Sequence, residues 1–137
     1  MNDPNGLCQW KGLYHLFYQF RGDGEDRVHW GHAVSEDLVR WKDLPIALYP
    51  DQEHDVFSGQ TLVEDDRVIA AYHGTQAGNA IATASDYLLI DWKKNSNNPE
   101  IPIVPFDEQT GAPYRVFDPC IWKEEDGYYA LSGTFKN

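Results

Sequence analysis

The sequence predicts an all-β chain built as consecutive blades of a propeller, on three observations. Short runs rich in aromatic and β-branched residues alternate with turn residues, and helical periodicity is hard to find. A polar anchor followed nine residues later by a hairpin signal recurs three times. An acidic turn that leads from an Ala to a Trp eight positions on recurs twice.

The strand-like runs are 13–20 (LYHLFYQF), 28–34 (VHWGHAV), 68–72 (VIAAY), 80–84 (AIATA) and 128–132 (YYALS). Residues 22–26, 50–54, 94–99 and 105–113 read as loops.

The first anchor is Asp3 in MNDPNGL (1–7). Nine residues on lies Gly12, in the hairpin signal Trp10-Lys11-Gly12-Leu13. Ser58 leads in the same way to Arg67, and Asp118, in FDPCIW (117–122), to Gly127. A second apolar strand follows each turn, and the anchors lie 55 and 60 residues apart.

The second element runs from Ala33 to Trp41 and again from Ala84 to Trp92, 51 residues apart. One unit is therefore an inner strand, a hairpin, two further strands and an acidic turn into a Trp-bearing outer strand. Four antiparallel strands per unit of this length is the pattern of a propeller blade. Blade 1 is expected at about 1–55, blade 2 at about 56–113, and the start of blade 3 at about 114–137. Propellers close a ring of typically about 4 blades or more to protect their edges. The native protein is therefore expected to be longer, also because the strand pattern begins at Met1 without a leader.

Composition narrows the partners. Eleven Lys and Arg against 22 Asp and Glu give a net charge of −11, which repels phosphate backbones, so no nucleic-acid partner is expected. No apolar stretch reaches membrane-spanning length, and a membrane partner is not expected either. Cys8 and Cys120 read as two small buried residues rather than a disulfide.

In a propeller the first strand of each blade lines the central channel, so Asp3, Ser58 and Asp118 are expected to converge at one mouth. A single Asp-Pro reads most simply as turn chemistry. Three polar anchors in register point further, because carboxylates facing each other across a pocket suit glycoside hydrolysis. That chemistry also needs a protonated acid. Glu36, Glu53, Glu64, Glu100, Glu124 and Glu125 all fall in turns or loops. The acid is expected on the next inner strand, beyond Asn137, and residues 1–137 alone are expected to be inactive.

Six blocks carry a family resemblance: MNDPNG (1–6), LYHLFYQ (13–19), HWGHAVS (29–35), DLVRW (37–41), LPIALYPD (44–51) and FSG (57–59). They closely resemble glycoside hydrolase family 32, the β-fructosidases, densely over 1–63 and more sparsely after. The resemblance implies a five-bladed catalytic propeller that hydrolyses β-fructofuranosides with retention, without metal or organic cofactor. It implies Asp3 as nucleophile and Asp118 as transition-state stabiliser. Asn2, Gln19, Trp30, Phe57 and Ser58 would line the pocket for the terminal fructosyl unit. The family's acid/base is a Glu next to a Cys, in a motif this chain does not reach.

One position departs. The family's second motif is usually Arg-Asp-Pro, whereas Phe117 precedes Asp118 here. An Arg would supply a bidentate donor; Phe can only stack or pack. Arg115, two residues earlier, points to the same side of a strand as Phe117. The competing reading is a carbohydrate-binding or degenerate propeller that kept the pocket and lost the chemistry. A related five-bladed glycosidase of other sugar specificity is a third, disfavoured by the match over 1–59.

Blander readings apply elsewhere. His29 and His32 form His-x-x-His, but on a strand they point to opposite faces, which disfavours a metal site. Trp41 and Trp92 are expected to pack between blades, and Trp10 and Trp122 to be structural. The loop acids of 22–26 and 51–55 read as solvated surface. Ser58 has no His in a matching position, so a hydrolytic triad is a poor reading.

Overall fold

The computed structural model describes residues 1–104 and 114–136, except the side chains of 114, 115, 135 and 136. All regular elements among them are β-strands.

The first sheet holds β1 (Pro4–Trp10), β2 (Leu13–Phe20), β3 (His29–Ser35) and β4 (Lys42–Leu48), antiparallel in chain order. The second holds β5 (Val56–Val63), β6 (Val68–Gly74), β7 (Gly78–Ala84) and β8 (Lys93–Lys94), and β9 (Ile101–Pro102) also pairs with β7. The third pairs β10 (Tyr114–Glu124) with β11 (Gly127–Lys136). Each sheet thus starts at the inner strand that follows or contains one sequence anchor. The expected loop 105–113 lies outside the described residues.

Stacking explains the composition of β6. All seven of its residues are buried, because the second sheet lies between the other two. Val68, Ala70 and Tyr72 join the core shared with the first sheet, which includes Trp10, Phe17 and Trp30. Ile69 and Ala71 face Ile121 of the third sheet. The period of two is intact, but both faces are apolar, so the strand reads as a continuous apolar run.

The three hairpins differ in detail. Lys11 and Gly12 have φ of 47° and 88°, the left-handed pair that a two-residue turn between twisted strands requires. The second hairpin needs four residues, 64–67, closed by Glu64 N–H donating to the Arg67 carbonyl at 2.8 Å. The third turns on Glu125 and Asp126.

The acidic turns repeat closely. Trp41 Nε1 donates to the Leu38 carbonyl at 3.1 Å, and Trp92 Nε1 to Leu89 at 2.7 Å. Leu38 and Leu89 both take positive φ, 63° and 51°. The carboxylates of Asp37 and Asp86 accept backbone N–H groups of their own turns. Trp92 packs edge-on against Phe17 of the first sheet, as expected of an inter-sheet residue. Trp41 does not: it is exposed. Trp10 is buried and donates to the Asp86 carbonyl at 2.9 Å, and Trp122 stacks on Tyr129 within its own hairpin.

Two further expectations are corrected. Cys120 is exposed, because the bulge in β10 shifts the in–out alternation along that strand, whereas Cys8 is half-buried and packs against the core; neither is disulfide-bonded. Of the 51–55 acids, Asp51 is exposed as expected, but Glu53 and Asp55 are not solvated surface. Glu53 is buried and accepts Lys94 Nζ and the Tyr72 hydroxyl, the latter at 3.1 Å. Asp55 accepts Val28 N–H at 2.8 Å and the Thr75 hydroxyl at 3.1 Å. These acids bolt the linker between the first two sheets, and burial is tolerable because each has partners.

Candidate active site

Each inner strand carries an irregularity: β1 between Asn5 and Cys8, β5 between Val56 and Gly59, β10 between Phe117 and Pro119. Bulges re-aim side chains out of the pleat, which suits a strand that must present polar groups at its end. Ser58 and Asp118 lie inside their bulges. Asp3 differs: it precedes Pro4, and its strand kinks further on, at Gly6 and Leu7.

Asp3, Gln19 and Ser58 meet. The Ser58 hydroxyl donates to Asp3 Oδ2 at 3.3 Å, and Gln19 Nε2 bridges Ser58 Oγ at 3.0 Å and the same Oδ2 at 3.4 Å. The backbone fixes this register: Gln19 N–H donates to the Asp3 carbonyl at 3.0 Å and Asn2 N–H to the Gln19 carbonyl at 2.9 Å. Gln19 is buried, whereas Asp3 and Asn2 are exposed. Asp3 Oδ1 has no donor among the described residues, so one carboxylate oxygen of this exposed residue is held and the other is unengaged. A shallow cleft of about 230 Å³ opens beside Asn2 and Gln19.

Contacts between the first two sheets hold Ser58 opposite Asp3. Asn5 Oδ1 accepts Gly59 N–H at 3.3 Å, and the Thr61 hydroxyl donates to the Gly6 carbonyl at 2.9 Å. Gly6 has φ +53°, and a Cβ there would stand 2.7 Å from Thr61 Cγ2. Only glycine allows both the turn and the approach.

Trp30 has no exposed surface. It lies between Phe17 and Tyr72, with ring centroids 5.7 and 6.0 Å away, and its Nε1 donates to the Phe57 carbonyl at 2.9 Å. It reaches the site through Phe57 and not by its own face. Phe57 and Ser58 are half-buried.

Asp118 is exposed and takes φ +27°, a backbone conformation that Asp tolerates better than most residues. It shares no hydrogen bond with Asp3, Gln19 or Ser58 among the described residues. Its neighbour Phe117 packs on His73, ring centroids 4.9 Å apart. The Arg115 side chain lies outside the described residues. His29 and His32 part company as their strand requires: His29 meets Tyr49 edge-on, and His32 bonds His15. No group of three or more His, Cys, Asp or Glu suited to a metal occurs among the described residues.

His73 and Asn79, both buried, escaped the reading of the sequence. A signal existed. Gln19 follows Tyr18 across the ladder from the first anchor, and His73 follows Tyr72 across from the second.

A cleft of about 660 Å³ lies elsewhere, between the second and third sheets around Ile69, Ile81 and Tyr128. It holds none of the anchors.

The model of the glycosyl hydrolases family 32 N-terminal domain matches residues 1–137. A levanase of Bacillus subtilis is 41% identical over 118 residues, covering 74% of this chain and 17% of the levanase. Fructan 1-exohydrolase IIa from Cichorium intybus superposes with a TM-score of 0.81 at 33% identity, over 100% of this chain and 28% of that one. A Bombyx mori β-fructofuranosidase mutant in complex with sucrose gives 0.74 at 32%, over 100% and 30%. The chain thus spans about a fifth of the length of the curated relatives it matches. The bulged anchors and the family match over the whole chain lead to one conclusion: this chain belongs to glycosyl hydrolase family 32, and its sheets are part of that family's five-bladed propeller.

Proposed function

We propose that the protein carrying this chain removes terminal β-fructofuranosyl residues from sucrose or fructans, with retention of configuration. The observation that carries this reading is the Asp3 carboxylate, anchored on one oxygen by Ser58 and Gln19 and open on the other. Asp3 attacks the anomeric carbon, and the bond to the leaving oxygen breaks with its electron pair on that oxygen. A Glu beyond residue 137 gives the leaving oxygen its proton, then takes one from the water that hydrolyses the fructosyl ester and frees Asp3. Asp118 holds sugar hydroxyls as charge develops on the ring. Asn2, Gln19, Phe57 and Ser58 line the fructosyl pocket, and Trp30 positions Phe57 from behind. The three sheets are assigned to blade 1 (about 1–55), blade 2 (about 56–113) and the start of blade 3 (about 114–137). No metal or organic cofactor enters the scheme. The named activities of the levanase and the exohydrolase, and the sucrose bound to the Bombyx mori enzyme, support the substrate class.

The test is liquid chromatography of the full-length protein's products on sucrose, inulin and levan. Fructose accumulating from the start supports the reading; intact substrates contradict it. One observation favours the second reading, a propeller that binds sugars without cleaving them. Phe117 stands where the family usually has Arg, and it packs on His73. Binding of fructosides without fructose release would establish that alternative.

A further inference from the structure

His73 stands between two anchors. On β6 it lies across the ladder from the Phe57–Ser58 bulge, between the pairs Val56↔Gly74 and Gly59↔Tyr72. Its ring packs on Phe117, the residue before Asp118. Its Nδ1 is 2.9 Å from Asn79 Oδ1, and since that oxygen only accepts, Nδ1 carries the proton and donates. Asn79 Nδ2 in turn donates to the Ser132 hydroxyl at 2.6 Å. Ser132 pairs with Pro119 and the next residue, Gly133, with Phe117, so they face the bulge that holds Asp118. His73 and Asn79 are both buried, which shields the hydrogen bond between them from water.

We infer that His73, held by Asn79 and Ser132, is a positioning residue that sets Asp118 relative to Ser58 and Asp3. The ring acts on one side of the Phe117–Asp118 bulge and the Asn79–Ser132 bond on the strand paired with it. Where an arginine before the aspartate would hold substrate or carboxylate by its own hydrogen bonds, this chain fixes Asp118 through packing and a buried amide. Asp118 keeps its positive φ because its neighbours on both sides are pinned. The role rests on the fructosidase reading above, since it acts through Asp118.

The test is the full-length protein assayed on sucrose and inulin with His73→Phe, His73→Gln and Ser132→Ala, each also in an Asp118→Asn background. His73→Phe keeps a ring without the donor; His73→Gln keeps a donor without the ring. Ser132→Ala removes one hydroxyl of a half-buried residue, so it reports even where the His73 variants fail to fold. The expected result is a loss in kcat/KM on the order of tenfold or more for each, carried by kcat as well as KM. Those losses are expected to vanish in the Asp118→Asn background, which a purely structural effect would not produce. Unchanged kcat/KM, or losses that multiply with that of Asp118→Asn, overturn the positioning role while leaving the fructosidase reading intact. A wild-type protein that cleaves neither sugar overturns both.

Discussion

Gln60 and Ile121 are joined at both ends of one amide. Gln60 Nε2 donates to the Ile121 carbonyl at 3.2 Å, and Ile121 N–H donates to Gln60 Oε1 at 3.1 Å. A side chain of β5 thereby takes the place of a neighbouring strand for β10, and stitches the second sheet to the third. Gln60→Leu fills similar volume but strands both backbone groups of Ile121. The expected cost is about 1–3 kcal/mol, read as a lower denaturant midpoint with unchanged slope.

Gly59 and Gly12 separate packing from conformation. A Cβ on Gly59 would lie 2.1 Å from the Ala71 carbonyl oxygen, so the strand bearing Ser58 must move. Gly12 has φ +88° with nothing within 4 Å of such a Cβ. Gly12→Ala is expected to cost about 1–2 kcal/mol and leave kcat/KM unchanged. Gly59→Ala is expected to lower stability and kcat/KM together, because it displaces Ser58 from Asp3.

The buried His15–His32 pair makes the fold acid-sensitive. His32 Nε2 lies 3.0 Å from His15 Nδ1, and burial first, then the neighbouring His15, hold the His32 pKa down to about 3 from an ordinary 6.5. Between those values the unfolded chain binds a proton that the folded chain refuses. This contribution is full above about pH 6.5 and is lost as pH falls toward about 3. Glu64 adds an acid loss lower down. Lys123 first, then Tyr128 and Arg67, hold its pKa at about 2 against an ordinary 4.5, so its contribution fades as pH falls through that range. His32→Phe is expected to flatten the stability profile between about pH 6.5 and 4.5 and leave the Glu64 region unchanged. Denaturant midpoints across pH check this; parallel profiles contradict it.

Much of this fold was legible because the repeat is written in residues that must do the same job twice. Ala33–Trp41 and Ala84–Trp92 share a positive-φ Leu and an indole donor at matching positions, and Ser35 and Asp86 accept turn N–H groups at another, so their spacing survives. The anchors were legible for the same reason, although Asp3 sits ahead of its strand's bulge and the others sit within theirs. Sequence spacing counts residues, and a bulge changes how many residues span a given length. Glu53 and Asp55 were illegible because acids in a loop look solvated until the second sheet covers them. The resemblance puts Trp30 in the pocket lining, yet its indole is fully buried against Phe17 and Tyr72 and bonds the Phe57 carbonyl. His73 was hidden by the apolar run before it.

Trp30→Phe removes the donor to the Phe57 carbonyl and keeps most of the buried ring. The expected outcome is a modest loss of stability, about 1–2 kcal/mol. The accompanying fall in kcat/KM, about tenfold, is larger than that loss explains, because the Phe57–Ser58 bulge loses its anchor. Thermal melts and steady-state kinetics on sucrose measure both. Wild-type kcat/KM in a destabilised variant would restrict Trp30 to the core.

We propose Asp3 as the nucleophile, held by Ser58 and Gln19. The most direct test is fructose release from sucrose by the full-length Asp3→Asn variant, after circular dichroism has shown a native fold. Asn keeps the shape and accepts the same two hydrogen bonds, but its amide does not attack the anomeric carbon. The expected result is a fall in kcat of at least about 10⁴-fold with the fold intact. Turnover near the wild-type rate would contradict it.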